Sequence, residues 1–360
     1  NSMENIETME YYVFQTQDII YENCRNKTLT AKLSELFLEG QYKSIKIIAS
    51  GSSCNGSWCA KYIMERLLGM PVQVITPYTF THYPQISEDD FIFVISQSGC
   101  SLNALDALDC LKKNNRVAIA LTGDLTSDIK GHSDVLIEYG VGEEKEGYVT
   151  KGVTTLVQFL IAFAMDAAEK INNANVDRDD YVKYCKQYKQ MQVENLAREE
   201  VFFEKFRKNL LSMQHCYMVG CGNAEGIAKE GALKIGETVK IVSCAYELEE
   251  YIHGPNLQLT PNHNVFIIDA QDETSERSYQ IFQATRQVTD RAYYITDKEY
   301  EDDHVLTLLN PNSNYVALSY LQFFQLLAYR FSKELRTIPK HPLMKEFNKL
   351  VNSKTTKPDD

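Results

Sequence analysis

Residues 44–68 read SIKIIASGSSCNGSWCAKYIMERLL, in which a short apolar run is followed by small residues and then by a helical pattern from Gly56. A continuous apolar run indicates a strand buried on both faces, and a helix directly after such a strand is typical of a parallel sheet. The same alternation recurs along the first half of the chain. Candidate strands lie at 72–76, 91–96, 116–122 and 134–139, and a further candidate helix lies at 102–114. This half therefore predicts an α/β domain built from βαβ units.

The second half of the chain repeats this pattern. Its candidate strands lie at 216–220, 240–245, 264–270, 291–296 and 305–309. Matching positions keep a nearly constant offset along the chain, as the pairs Gly51 with Gly222 and Ile95 with Ile268 show. A constant offset over several elements indicates an internal duplication. We therefore predict an N-terminal helical segment at 1–30, two similar α/β domains at 31–175 and 208–338, a helical linker at 176–207 and a C-terminal tail at 339–360.

The composition narrows the class of protein. The 360 residues carry 37 Lys and Arg against 49 Asp and Glu, a net charge of −12, and contain no basic run, so no nucleic-acid partner is expected. The longest apolar stretch, around Thr154–Ala168, is interrupted by Gln158 and Asp166 and is too short to span a bilayer, so no membrane contact is expected. Nine cysteines without a C-x-x-C motif favour reduced thiols, and hence a cytoplasmic protein.

Two loops rich in hydroxyl groups follow predicted strands. The first is ASGSSCNG at residues 49–56, and the second is SQSGCS at residues 96–101. Because both precede a predicted helix, their hydroxyls and the amides of the helix N-terminus can hold a phosphate without a lysine. Neither loop matches a nucleotide P-loop. The alternative is that each serine only caps its helix, but two such loops in one domain favour anion binding.

Acid–base candidates lie in the second half. In the predicted helix 224–240, Glu230, Lys234 and Glu237 are spaced to share one face, although a solvent-facing Glu–Lys pair is the alternative. His253 precedes a Gly-Pro pair and is either an acid–base residue or a structural histidine. A carboxylate and an imidazole that converge on a phosphosugar could move a proton between adjacent carbons. The histidines show no metal-ligand spacing such as H-E-x-x-H, so no metal is expected.

These motifs together resemble a known family. The chain is similar to the sugar isomerase (SIS) domain proteins, in the tandem arrangement of the isomerase half of glucosamine-6-phosphate synthase, over about residues 20–345. The resemblance implies two similar doubly wound, flavodoxin-like parallel-sheet domains with flanking helices, and no cofactor. Its anchors are Ala49–Asn55, Ser96-Gln97-Ser98-Gly99, Thr150-Lys151-Gly152, Glu230 through Glu237, and His253-Gly254-Pro255.

The resemblance also assigns roles to individual residues. Glu237 would be the base that moves a proton between C1 and C2 of the sugar, supported by Glu230 and Lys234. His253 would serve ring opening and would usually reach in from the neighbouring subunit, which implies a homodimer or homotetramer with a shared active site. The sugar phosphate would be held by Ser53, Ser96, Gln97, Ser98 and Ser101, with Ser52, Thr150 and Lys151 beside them.

Three departures separate this chain from the synthase. No glutaminase domain precedes residue 30, so the full synthase reaction is not expected. The Ala-Ser that the family usually carries before its Thr-Lys pair is replaced by Gly147-Tyr148-Val149. The synthase tail motif with its reactive lysine is absent, which leaves only Lys349 and Lys354 as loose candidates for that role.

Stand-alone tandem proteins of this kind resemble the deglycases of bacterial sugar–amine catabolism, which cleave fructoselysine 6-phosphate, glucoselysine 6-phosphate or fructose-asparagine 6-phosphate. We therefore expect conversion of such a conjugate and water to glucose 6-phosphate and free amino acid. The alternatives are an aldose–ketose isomerase or deaminase of an amino sugar phosphate, and a non-catalytic phosphosugar sensor. Glu247, Glu249 and Glu250, just before His253, would suit a lysine-like amine or would form a solvent-facing acidic turn.

Overall fold

The first part of the chain contains a five-stranded parallel sheet and several helices. A computed structural model describes residues 7–355. The elements are α1 (Met9–Arg25), α2 (Ala31–Glu39), β1 (Ser44–Ile48), α3 (Gly51–Leu68), β2 (Val72–Ile75), α4 (Pro77–His82), β3 (Asp90–Ser96), α5 (Leu102–Lys113), β4 (Ile119–Thr122), β5 (Val135–Glu138) and α6 (Lys151–Lys170). The strand order is β2-β1-β3-β4-β5. All neighbours run parallel, so the carboxyl ends of the strands meet at one edge of the sheet.

The later part of the chain forms a second sheet of the same kind. The elements of this part of the chain are α7 (Arg178–Lys205), α8 (Arg207–Leu211), β6 (His215–Val219), α9 (Glu225–Thr238), β7 (Val242–Tyr246), β8 (Asn264–Ile268), α10 (Ser275–Arg286), β9 (Ala292–Thr296), β10 (Val305–Thr307), α11 (Val316–Leu335) and α12 (Met344–Leu350). Of these, α12 belongs to the compact unit that contains the first sheet. The order β10-β9-β8-β6-β7 is the order of the first sheet read from its other end. The predicted α/β class and the duplication of a doubly wound parallel sheet are therefore confirmed.

The chain divides into two compact units, each of which contains one sheet. The first-sheet unit comprises Glu22–Glu144, Lys151–Arg178 and the described residues from Pro339 onward. The second-sheet unit comprises the described residues up to Tyr21, Lys145–Thr150 and Asp179–Ile338. The long helix α7 occupies most of the stretch for which a helical linker is predicted.

Apolar burial explains why these segments form buried strands and helices. Every residue of β3 is buried, as its continuous apolar run predicts. In the first-sheet unit, the ring of Phe37 lies 5.3 Å from that of Phe91 and 5.8 Å from that of Phe163, where distances join ring centroids. Each such buried ring contributes about 1.5–3 kcal/mol to the free energy of unfolding. Helix α6 is long and apolar enough to cross a membrane by composition, but 83% of its most apolar part is buried inside the protein, as in a core helix.

The beginning of α3 differs from the prediction. The helix begins at Gly51 instead of Gly56, so Ser52 and Ser53 lie in its first turn and not in a loop. Gly51 has a φ of +57°, a left-handed conformation that glycine adopts at little cost. This conformation lets the chain turn sharply from β1 into the helix, which local sequence patterns do not reveal.

Candidate active site

The first serine-rich segment lies at the N-terminus of α3 in the first-sheet unit. Ser52 is buried and Ser53 is half-buried, both in the first turn of the helix. Ser50 precedes the helix and makes no capping hydrogen bond with its side chain. Its hydroxyl oxygen instead accepts a hydrogen bond from Asn103 Nδ2 at 3.0 Å. Because Asn103 lies in the first turn of α5, this bond joins the first serine-rich segment to the helix that follows the second one.

The second serine-rich loop connects β3 to α5. The backbone N–H of Gly99 donates to Ser96 Oγ at 3.1 Å, and that of Cys100 donates to Ser98 Oγ at 3.2 Å. Gly99 has a φ of +67°, and a Cβ there would overlap with Ser127 Oγ, so only glycine fits. Ser101 stands at the N-cap position of α5 but makes no capping hydrogen bond with its side chain. Side-chain capping therefore does not account for Ser50 or Ser101, and the arrangement remains suited to an anion.

Gln97 has a fixed partner that sequence reasoning missed. Its Nε2 donates to Glu144 Oε1 at 2.8 Å. The carboxylate of Glu144 also accepts from the backbone N–H of Lys151 at 2.6 Å and of Gly152 at 3.2 Å, so it caps α6. A Cβ at Gly152 would overlap with Gln97 Oε1, so the amide packs directly against this glycine. Glu144 therefore orients the amide of Gln97 beside the loop, and an acidic residue shortly before a helix start is the sequence signal that could have found it.

Thr150 and Lys151 are adjacent in sequence but belong to different units. Lys151 lies in the first-sheet unit, where its buried Nζ donates to the carbonyl of Glu143 at 2.9 Å. Thr150 lies in the second-sheet unit, where its hydroxyl donates to the carbonyl of Tyr148 at 3.0 Å. Its own carbonyl accepts from Gln325 Nε2 at 3.0 Å. Both residues take part in the packing of the chain around the start of α6.

The predicted acid–base residues of α9 form one cluster in the second-sheet unit. Lys234 Nζ lies 3.2 Å from Glu230 Oε1 and donates a hydrogen bond to Glu237 Oε1. The side chains of Glu230 and Lys234 are 0% and 1% exposed, whereas that of Glu237 is 31% exposed. The solvent-facing alternative is therefore wrong for Glu230 and Lys234. A buried cation is paired with two carboxylates, and of the three side chains Glu237 is the one open to a ligand.

Burial and the charges of this cluster shift the pKa values of Glu237 and Lys234. Burial raises the pKa of the Glu237 carboxyl above its ordinary value, the Lys234 ammonium lowers it in part, and the Glu230 carboxylate raises it again. Burial lowers the pKa of Lys234, but the two carboxylates more than offset this, so its pKa lies above the ordinary value. Lys234 therefore remains charged at neutral pH. A half-buried carboxylate with a raised pKa is a stronger base than an ordinary surface glutamate.

Tyr148 is a second functional candidate that sequence reasoning left without a role. Its hydroxyl donates to the carbonyl of Ile338 at 3.0 Å, and Lys240 Nζ donates to the same carbonyl at 3.2 Å. Burial and the nearby Glu237 carboxylate raise the pKa of the Tyr148 phenol. Lys240 follows Glu237 closely in the sequence. The side chains of Tyr148, Glu237 and Lys240 therefore lie close to Ile338, the last residue of the second-sheet unit. The sequence signal for Tyr148 was the replacement of the family's usual Ala-Ser at residues 147–149.

His253 lies in the turn after β7, and among the residues that the structure describes no hydrogen bond or ion pair joins it to the α9 cluster. Its side chain is exposed, and within residues 7–355 its ring makes no hydrogen bond. The acidic residues before it shape their own turn, because Glu247 Oε2 accepts from the backbone N–H of Glu249 at 3.1 Å and of Glu250 at 3.0 Å. Glu249 also pairs with Arg277 at 2.6 Å. Glu247 and Glu249 thus have structural partners, which favours the solvent-facing turn over a site for a cationic amine.

No candidate metal centre lies near these residues. Within residues 7–355, no group of three or more His, Cys, Asp or Glu side chains is arranged to hold a metal ion. All nine cysteines are free thiols.

The predicted phosphate residues other than Thr150 lie in the first-sheet unit, and the predicted acid–base residues lie in the second-sheet unit.

A family comparison agrees with this arrangement of two similar sheets. A family model for the SIS domain matches residues 41–168 and 209–321. The chain belongs to the SIS-domain family. Each matched part contains one of the two sheets. The predicted resemblance, drawn from the serine loops and the α9 motif, is confirmed at the level of the family.

Individual SIS proteins resemble the chain over most of its length. Isomerizing glutamine–fructose-6-phosphate aminotransferase of Clostridium tetani is 26% identical over 278 residues, which are 76% of this chain and 44% of that protein. A suspected phosphosugar isomerase of Clostridium difficile 630 has a TM-score of 0.83 at 21% identity, covering 97% of this chain and 99% of that chain. The C-terminal domain of glucosamine-fructose-6-phosphate aminotransferase of Francisella tularensis has a TM-score of 0.81 at 22% identity, covering 93% and 98%.

The lengths of these matches define the relationship. The chain spans less than half of the length of the Clostridium tetani aminotransferase, but nearly all of the Francisella tularensis C-terminal domain. It is therefore homologous to the isomerase half of the aminotransferase.

Proposed function

We propose that this SIS protein is a phosphosugar deglycase, which converts a 6-phosphorylated sugar–amino acid conjugate and water to glucose 6-phosphate and free amino acid. The observation that carries the proposal is the cluster on α9. Glu237 is a half-buried carboxylate with a raised pKa, and it hydrogen-bonds the buried ammonium of Lys234. Such a group suits the removal of a proton from carbon. The serine loops of the first-sheet unit suit a phosphate group.

The chemistry needs no group beyond the substrate, water and the protein's own side chains. Glu237 removes a proton from C1 of the open-chain ketosamine, and the electron pair of the broken C–H bond forms a C1–C2 double bond while the C2 oxygen takes a proton. Return of the proton to C2, with loss of the N–H proton to water, leaves a double bond between C1 and the amine nitrogen. Water adds to C1 of this imine, and cleavage of the C1–N bond releases the amino acid and the aldehyde of glucose 6-phosphate.

The other residues of the α9 cluster support this step. Lys234 stays protonated between two carboxylates and favours the ionised form of Glu237 that acts as the base. Glu230 is 0% exposed and holds Lys234 in place from the side opposite to solvent. In this proposal both are positioning residues, and Glu237 is the catalytic residue.

His253 completes the proposal as the residue that opens the sugar ring. Its exposed side chain is free to reach a substrate bound by a neighbouring copy of the chain. The proposed assembly is therefore a homodimer or homotetramer with a shared active site. The nine free thiols suit a reducing compartment, and we propose that the protein acts in the cytoplasm.

An isomerase or deaminase of an amino sugar phosphate is the second candidate. The homology to the isomerase half of glutamine–fructose-6-phosphate aminotransferase favours it. The same Glu237 would then move a proton between C1 and C2 of glucosamine 6-phosphate or fructose 6-phosphate. The two candidates share the base and differ in the group attached to the reacting carbon.

The experiment supplies the purified protein with fructoselysine 6-phosphate, glucoselysine 6-phosphate and fructose-asparagine 6-phosphate, and detects glucose 6-phosphate with a coupled dehydrogenase. We expect release from at least one conjugate, and a rate about 10²–10⁴ times lower for Glu237→Gln. Glu276→Gln, at an exposed position in the first turn of α10, is the matched control and should retain the wild-type rate.

A parallel assay follows the interconversion of glucosamine 6-phosphate and fructose 6-phosphate with free ammonia. Interconversion without release from any conjugate would replace the deglycase with the isomerase or deaminase. Binding of a sugar phosphate without turnover in either assay would identify a sensor and would contradict both enzymatic candidates.

A further inference from the structure

The C-terminal segment pairs with the second serine-rich loop in the first-sheet unit. The backbone N–H of Leu102 donates to the carbonyl of Ser353 at 3.0 Å, and that of Thr355 donates to the carbonyl of Cys100 at 2.9 Å. The residues between these bonds, Ser101 and Lys354, face each other in an antiparallel bridge. The tail therefore forms a single antiparallel bridge with the loop that follows β3.

The pattern of these two bonds fixes where the Lys354 side chain begins. Both bonds flank the Ser101–Lys354 pair, and neither is made by the pair itself, so it is a non-hydrogen-bonded pair. In such a pair the Cα atoms lie about 4.5 Å apart, and the two side chains leave the same face of the ribbon side by side. The Lys354 side chain thus starts next to the hydroxyl of Ser101.

A second contact holds the tail in this register. The Thr355 hydroxyl donates a hydrogen bond to the Asp128 carboxylate. Asp128 follows β4 on the same side of the sheet as the serine loop, whose Gly99 carbonyl accepts from the backbone N–H of Ile129 at 2.9 Å. Backbone and side-chain bonds therefore act together on residues 353–355, and they position Lys354 without using its ammonium group.

Within residues 7–355, the charge of Lys354 has no ion-pair partner, whereas Lys349 on the same tail pairs with Glu346 at 2.7 Å. The serine-rich segments at 49–56 and 96–101 contain no lysine or arginine. A half-buried lysine therefore stands beside a loop that offers hydroxyls and amides but no positive charge.

We propose that Lys354 binds the phosphate group of the substrate from the C-terminal tail, and so supplies the cation that the two serine-rich segments lack. This inference rests on the phosphate site of the proposed function. The ammonium would donate to a phosphate oxygen while Ser98 and Ser101 donate from the loop. Lys354 is accordingly a binding residue that takes no part in proton transfer.

The test measures binding and not turnover, with fructose 6-phosphate and inorganic phosphate as the probes. Titration calorimetry compares the wild-type protein with Lys354→Gln, Lys354→Arg, Lys349→Gln and Ser98→Ala at low and high salt. For Lys354→Gln we expect affinity about tenfold weaker at low salt, because a charged hydrogen bond is lost. The salt dependence should also weaken, because one ionic contact is missing. Lys354→Arg should restore most of the affinity, and Lys349→Gln should match the wild type.

The outcomes separate this inference from the proposed function. If Ser98→Ala weakens binding and Lys354→Gln does not, the phosphate site stands and the role of Lys354 is wrong. If Lys354→Gln binds like the wild type but loses turnover, Lys354 acts on the reacting carbon, which also overturns the inference. If Ser98→Ala binds both probes like the wild type, the phosphate does not sit at this loop and both proposals fail.

Discussion

The edges of the two sheets place different groups at matching positions. Ser96 ends β3, and Asp269, its counterpart in the duplicated half of the chain, follows β8. In the second sheet the buried Asp269 carboxylate accepts from the backbone N–H of Gln271 at 2.9 Å, Ser275 Oγ at 2.6 Å and Thr296 Oγ1 at 2.8 Å. In the first sheet the matching group is a neutral hydroxyl that accepts from the loop's own Gly99.

This difference indicates how a duplicated domain can keep one anion site and lose the other. A carboxylate built into the second sheet occupies the donors that a phosphate would use, so this edge is stabilised by its own charge. A serine at the matching position leaves room for an anion from outside. We therefore place the proposed phosphate site in the first-sheet unit alone, and the following predictions test this difference between the edges.

The largest effect is expected at Asp269. Asp269→Ala would leave the donors of Gln271, Ser275 and Thr296 without their buried acceptor, which should lower the free energy of unfolding by about 2–4 kcal/mol. Urea unfolding at pH 7 measures it. Asp269→Asn, which keeps one carbonyl acceptor, should cost less. A loss below about 1 kcal/mol for Asp269→Ala would mean that the carboxylate does not stabilise this edge.

Glu199 is a second buried carboxyl group in the second-sheet unit, and it should affect the stability of that unit. Glu199 accepts from Gln322 Nε2 at 2.9 Å, while its Oε2 has no hydrogen-bond partner among residues 7–355. Burial raises its pKa to about 8. Because the native state keeps this proton after the unfolded chain has lost it, stability falls as pH rises from about 4.5 to about 8. Between pH 6 and pH 8 the loss should be about 2 kcal/mol.

Glu199→Gln isolates this effect because glutamine can still accept from Gln322. The stability difference between the variant and the wild type should grow in favour of the variant as pH rises from 6 to 8, as measured by urea midpoints. Equal pH dependence of the two proteins would contradict a neutral Glu199 in the native state.

At the first edge, binding should change more than stability. Ser98→Ala removes a hydroxyl from the proposed phosphate site, so the affinity for fructose 6-phosphate should fall about tenfold. The free energy of unfolding should change by less than about 1 kcal/mol, because Ser98 is half-buried and its hydroxyl accepts a local bond from Cys100. If Ser98→Ala lost as much stability as Asp269→Ala and kept its affinity for fructose 6-phosphate, the proposed difference between the two sheet edges would be wrong.

The smallest effect is expected at Tyr148. Tyr148→Phe removes one hydrogen bond to Ile338, where Lys240 still donates, so the stability loss should be about 0.5–1.5 kcal/mol. The ring remains near Glu237, so the acid limb of the pH–rate profile should keep its position. Tyr148→Ser would expose Glu237 and move that limb to lower pH. An unchanged limb in Tyr148→Ser would show that the ring does not shield Glu237.

Local sequence patterns predicted most of the fold. Continuous apolar runs identify strands that are buried on both faces, so β3 and β8 lie close to the predicted 91–96 and 264–270. The i, i+4, i+7 spacing placed Glu230, Lys234 and Glu237 on one face of α9, as observed. The motifs also predicted the family, because glycines and serines at strand ends recur wherever a backbone must approach an anion.

Contacts between distant segments could not be predicted in this way. The burial of Lys234 depends on the packing of α9 against other elements, and the spacing alone also fitted a solvated face. The pairing of residues 353–355 with the loop after β3 joins segments that lie far apart in the sequence and has no local signal. The hydrogen bond from Tyr148 to Ile338 is another such contact. A tyrosine in place of a small residue does not show which distant residue it will contact.

Exchange of carbon-bound protons with solvent tests the role of Glu237 most directly. The protein is incubated in D₂O with fructose 6-phosphate and, separately, with fructoselysine 6-phosphate, and the C1 and C2 protons of the sugar are followed by NMR. The wild type should introduce deuterium at these carbons. Glu237→Gln should do so at least about a hundredfold more slowly while binding fructose 6-phosphate with unchanged affinity. Exchange at the wild-type rate in Glu237→Gln would contradict the assignment of Glu237 as the base.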